Sequence, residues 1–183
     1  MPNWCITHIY ASGLSAEVAE LRALHPFDPG TIVPMPVELE AAAVAEEDQA
    51  GAEIRERWPR SAGFETMSWL RHDWRVEHWG TKWPPWDVEL FLDEPCRLGV
   101  CMVSAWSPPE GVLKALSERF SEIDFAVVAH DIDGPYAFAW RYVAGVELDG
   151  EAWDGSEAVD AYDDCTAWVG ERISALNQEA GTE

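Results

Sequence analysis

Residues 87–132 read DVELFLDEPCRLGVCMVSAWSPPEGVLKALSERFSEIDFAVVAHDI, and the periodicity of this stretch decides the fold class. It opens on strict alternation. Val88, Leu90 and Leu92 face one way and Asp87, Glu89, Phe91 and Asp93 the other, the period-two signature of a half-buried strand. RLGVCMVSAW at 97–106 is almost continuously apolar, as an interior strand covered on both faces should be. Ser107-Pro108-Pro109 then starts a helix, because a first helical turn has no amide partners for proline to remove. Val112, Leu113, Leu116 and Phe120 repeat along it at helical spacing and form its buried stripe. FAVVAHDI returns to strand. Strands over 86–93, 97–106 and 124–132, with a helix over 109–120 between the last two, are the expected frame.

Working outward, residues 3–11 alternate as a strand, with Trp4, Ile6, His8 and Tyr10 on one face and Cys5, Thr7 and Ile9 on the other. A helix follows over 15–24, with Val18, Leu21 and Leu24 on one side and Ser15 as its expected N-cap. His25-Pro26 and Asp28-Pro29-Gly30 stop it. IVPMPVEL is too rich in proline for a central strand, and residues 38–58 read as an alanine- and glutamate-rich helix. Six of the eleven tryptophans lie between Trp58 and Trp86, a segment read as a long connection lying on the sheet. Downstream, YAFAWRYV is joined to the preceding strand across Asp133-Gly134, a hairpin signal. The acidic Glu147-Leu148-Asp149-Gly150-Glu151 reads as another turn. The expected fold is α+β and ferredoxin-like, a βαββαβ order with one added strand. It occupies residues 1–150 with an insertion at about 26–85, and a helical extension over 151–183 packs on it.

Composition narrows the partners. The chain has 183 residues, 34 acidic and 12 basic, for a formal charge of −22. Such a field repels phosphate backbones and anionic membranes, so neither nucleic acid nor membrane is expected as a direct partner. A protein with a basic surface is. No stretch is long and apolar enough to span a bilayer, and the opening MPNWCITHIY lacks a signal-peptide pattern, so a cytoplasmic location is expected. Cys5, Cys96, Cys101 and Cys165 are scattered without a CxxC pair. Free thiols are therefore expected, with no structural zinc and no other cofactor.

Four features bear on chemistry. HWGTKWPPW at 78–86 offers a glycine for close backbone approach, donors at Thr81 and Lys82, and ring walls at Trp79, Trp83 and Trp86. With Trp106 these suit a small anion or a planar ring, giving a candidate ligand site of Trp79, Thr81, Lys82, Trp83 and Trp106. The plainer account makes the tryptophans core and lets Lys82 reach past them to solvent, and residue types alone favour it. Tyr136, Phe138, Trp140 and Tyr142 form a comb on one strand face. Base stacking on it is opposed by the charge, and cover from the insertion or the last helix is expected. The acidic turns lack the twelve-residue calcium loop. Five dispersed histidines show no catalytic motif, so the reading leans away from an enzyme.

The last helix, about 155–178, carries Val159, Tyr162, Thr166, Val169, Ile173 and Leu176 in one apolar stripe. Glu157, Asp160, Asp164 and Glu171 fall opposite it, with Trp168 among or beside them. An aromatic anchor within a charged patch marks an expected partner-binding surface, and a solvated face is the alternative.

The opening MPNWC, PMPVEL at 34–39, the tryptophan-rich approach to HWGTKW, and SAWSPP at 104–109 together resemble the YubB-type family of uncharacterised phage and plasmid proteins, over roughly residues 1–145. The resemblance implies a ferredoxin-like sheet and residence on mobile elements, and it brings no reaction. Prolines after Trp83 and the acidic last helix depart from the family pattern. The expected function is a non-enzymatic protein-binding protein, an acidic anti-defence inhibitor that imitates the charge of DNA. The alternative is a small-ligand or nucleotide-binding domain using the HWGTKW loop.

Overall fold

The first strand organises everything that follows. In the computed structural model, which describes residues 3–42, 67–132 and 136–154, β1 (Trp4–Ser12) is hydrogen-bonded on both sides. It pairs antiparallel with β3 (Arg97–Ala105) and with β4 (Asp124–Asp131), so Ile9 lies opposite both Val100 and Val127. β2 (Trp86–Glu94) adds outside β3, and β5 (Tyr136–Val143) and β6 (Val146–Asp154) add outside β4. The result is an α+β protein with a six-stranded sheet in the order β2-β3-β1-β4-β5-β6, every neighbouring pair antiparallel.

The pleat separates two faces. One carries Ile9, Ala11, Leu98, Val100, Met102, Phe125, Val127 and Tyr142, all buried. Onto it fold α1 (Ser15–Arg22), through Val18 and Leu21, and α5 (Glu110–Arg119), through Val112, Leu113 and Leu116. Each such side chain removed from water contributes roughly 1.5–3 kcal/mol, so this layer holds the fold. The other face carries Trp4, Ile6, His8 and Tyr10, each half-buried, with Phe91 set edge-on against both His8 and Tyr10.

Three local expectations are corrected. Ser15 is the first helical residue and not the cap. Leu14 holds that position without a side-chain bond, while Asp28 does cap the short α2 (Pro29–Ile32) by accepting from the Gly30 amide at 3.0 Å. Residues 147–151 are not a turn but the middle of β6. The actual turn is Ala144-Gly145, both at positive φ, the geometry that lets a tight hairpin follow the strand twist. Gly150 sits opposite Trp140, where a Cβ would come within 2.8 Å of the indole, so this Asp-Gly pair makes room for a ring. The tryptophan-rich connection also contains a helix, α4 (Met67–Trp79), which packs against α3 (Val37–Ala42) and α5 and not simply along the sheet. Residues 43–66 and the last helix lie outside the described residues.

Candidate binding surface

At one end of the sheet β1 and β5 begin, β3 and β4 end, and β2 starts two positions further in. The chain places an aromatic or large apolar residue at each of these ends: Trp4, Tyr136, Trp106, Ile132 and Trp86. Four are well exposed, Trp106 and Tyr136 at 50%, Ile132 at 48% and Trp86 at 38%, and the neighbouring Trp83 is 37% exposed. Trp4 is half-buried and ties the group together, its ring 4.5 Å from Trp86 and 6.4 Å from Trp83. Exposed apolar groups normally occur singly. Trp4, Trp83 and Trp86, with Trp106 joined to Trp83 across Lys82, form a contiguous cluster, and a cluster of exposed rings marks a contact surface.

The backbone under this rim is tightly specified. Gly80 has φ +81°, and a Cβ there would lie 2.8 Å from the Glu110 amide nitrogen, so only glycine lets α4 end against the start of α5. The Thr81 hydroxyl, fully buried, donates to the Ala105 carbonyl at 2.9 Å, and the Ser107 hydroxyl donates to the Gly80 carbonyl at 2.5 Å. Ser104 donates across the same turn to the Ser107 carbonyl at 2.8 Å. Trp106 is held at φ 71° while its amide donates to the Asn3 carbonyl at 2.9 Å. Asp87, next to Trp86, is also at positive φ. Such a conformation costs a bulky residue roughly 1–3 kcal/mol and persists only where its surroundings over-determine it.

The five residues of the candidate ligand site divide into two groups. Trp79 is buried, donates its indole N–H to the Val33 carbonyl at 2.8 Å and meets Trp74 edge to face. Thr81 is buried as well, so both are structural. Lys82, Trp83 and Trp106 remain at the surface. The Lys82 ammonium lies 4.7 Å from the Trp83 ring centroid and 4.5 Å from that of Trp106, clasped between two indoles, and His72 packs edge-on against Trp106. Trp86 was legible as a ring wall of the 78–86 stretch, whereas Trp4 was not legible as part of this surface, because its proximity to Trp83 and Trp86 depends on strand order. The comb on β5 is partly covered: Tyr142 is buried beneath α5, while Phe138 stacks on Trp140 at 5.3 Å and Tyr136 opens to solvent. The candidate partner-binding residues Glu157, Asp160, Asp164, Trp168 and Glu171 lie outside the described residues.

Elsewhere the surface offers less. A groove of about 480 Å³ lies between Ser15, Ala19, Arg22, Asp93, Glu94 and Pro95. Its one cation, Arg22, is already engaged by Asp93 and by the Glu94 carbonyl. Among the described residues no group of three His, Cys, Asp or Glu side chains is placed to hold a metal ion, and no helix is long and apolar enough to cross a membrane.

His8 and His130 stack face to face at 6.4 Å on the second sheet face. Burial lowers both pKa values from the ordinary 6.5, and for His130 the neighbouring His8 adds to the lowering while Asp131 opposes it. The unfolded chain therefore takes up protons near pH 6.5 that the folded one resists, and stability falls as pH drops below that value. Urea midpoints should be level above pH 7 and decline toward pH 5. The decline should shrink in a His8→Gln/His130→Gln variant, and an identical pH profile for that variant would refute the assignment.

No family model matches the sequence, and no curated protein does. Among solved structures, the crystal structure of the protein api92 from Yersinia pseudotuberculosis, assigned to the family DUF1281, superimposes with a TM-score of 0.55 at 11% identity. The match covers 85% of this chain and 99% of that one. The likeness is one of fold.

Proposed function

We propose that the protein acts by binding another protein with a basic surface, and that the tryptophan rim at the end of the sheet is its contact face. The observation that carries this reading is the group Trp83, Lys82 and Trp106, two exposed indoles around a cation, in a chain of net charge −22. Exposed tryptophans in a rigid setting are the usual anchors of an interface. The surrounding negative field speeds the approach of a basic partner and turns phosphate backbones away. The strand order β2-β3-β1-β4, with α1 and α5 on one face, supports a ferredoxin-like unit extended by β5 and β6. Placement on a phage or plasmid, as an inhibitor of a host defence protein, rests on the YubB-type motifs. A small-ligand site is less well supported, since Trp79 and Thr81 are spent on internal bonds.

The test is affinity capture from host lysate with the full chain and a Trp83→Ala/Trp106→Ala variant, at low and high salt, read by quantitative mass spectrometry. A protein partner should be retained by the wild type, weakened by salt, and reduced at least about tenfold in the variant. Equal retention by both would remove the rim from the interface.

A further inference from the structure

We infer that the gap between Trp83 and Trp106 is a cation-recognition slot for an arginine of the partner, and that Lys82 is an internal occupant that such an arginine displaces. This rests on the reading of the rim as the contact face. Lys82 is held by aromatic faces. Its ammonium is set against the two indole faces at 4.7 and 4.5 Å, and among the described residues it makes no ion pair with a carboxylate. A lysine held only by ring faces on a flexible four-carbon stem is readily released, because water competes strongly for its ammonium.

A guanidinium suits the same gap better. It is planar, stacks against rings on both sides, and is more weakly hydrated than an ammonium. Its edge N–H groups would remain available for further hydrogen bonds. The slot is also built in advance. The Trp106 backbone is held in its left-handed conformation by the Asn3 carbonyl, and the turn behind it by Ser104 and Ser107, so binding need not order the backbone of that wall. Lys82 then acts as a threshold: a weak or isolated cation fails to displace it, while an arginine in a basic segment, drawn in by the overall charge, succeeds.

The discriminating experiment uses the full chain and a tetra-arginine peptide as the probe, followed by calorimetry at fixed ionic strength. K82Q is compared with K114Q, which removes the same charge from an exposed position on α5, so that long-range attraction is matched. K82Q should bind the peptide about tenfold more tightly than K114Q, the scale of one freed cation–π site, and tetra-lysine should gain less. Lys82→Ala provides the same comparison if the glutamine variant folds poorly. Equal binding by the lysine variants and K114Q overturns the slot, while the rim reading stands or falls separately on whether W83A/W106A weakens capture. Weaker binding by K82Q than by K114Q also overturns it, since Lys82 would then itself be the contact.

Discussion

Gly111→Ala should destabilise the protein by about 1–3 kcal/mol or more, the range for forcing an atom into occupied space. The alanine Cβ would stand 2.0 Å from the His78 carbonyl oxygen and 2.8 Å from its carbon, and neither is the end of a flexible side chain. The sign is the informative part. In an isolated helix the same change is favourable by roughly 1 kcal/mol, because alanine is the better helix former. The clash reverses it, since the first turn of α5 lies directly on the end of α4. Relief requires α5 to move away from Gly80, which would loosen the Ser107 bond that braces Trp106. Urea unfolding should therefore show a lower midpoint, accompanied by a change in near-ultraviolet tryptophan dichroism. Gly30→Ala is the control: its Cβ would meet nothing closer than 3.4 Å, and its effect should stay within about 0.5 kcal/mol. A Gly111 variant as stable as wild type would show that α4 and α5 do not approach as described.

Leu116→Ala should cost about 2–5 kcal/mol, the loss of transfer energy plus the cavity left behind. Leu116 is 2% exposed and belongs to the cluster that joins α5 to the sheet. For a chain of this length the melting temperature should fall by roughly 5–15 °C. Leu148, on the edge strand and 51% exposed, is the comparison, and its alanine variant should melt within about 2 °C of wild type. The reverse order of the two effects would place the core on the wrong face of the sheet.

The pattern of what was legible follows from the range of the forces involved. Alternation located β1 and β2, and apolar runs located β3 and β4, each to within a residue or two, because both patterns are properties of the local chain. The stripe of Val112, Leu113 and Leu116 located α5 for the same reason. Helix α4 was hidden because its buried positions are tryptophans, Trp74 and Trp79, set among charged residues, with the Arg75 guanidinium lying over the Trp79 ring. Its aliphatic positions are few, Met67, Leu70 and Val76, and Val76 is exposed. The middle of β6 looked like a turn because Asp149-Gly150 is turn chemistry in isolation. Gly150 is there for Trp140 on the neighbouring strand, a requirement no local window contains.

By itself, then, the sequence determined β1 to β5, α1 and α5, the apolar side of each, and that the molecule carries a strongly negative field. These follow from periodicity and charge, which act within a few residues or sum over the whole chain. The tertiary structure alone decided that Trp4, Trp83, Trp86 and Trp106 meet at one end of the sheet. It also decided that Thr81 turns inward while Lys82 lies between two indoles. Those outcomes depend on the order β2-β3-β1-β4 and on left-handed backbone at Asp87 and Trp106. Strand order and backbone strain are set by contacts between residues far apart in the chain, and no short-range preference of tryptophan or aspartate foretells them.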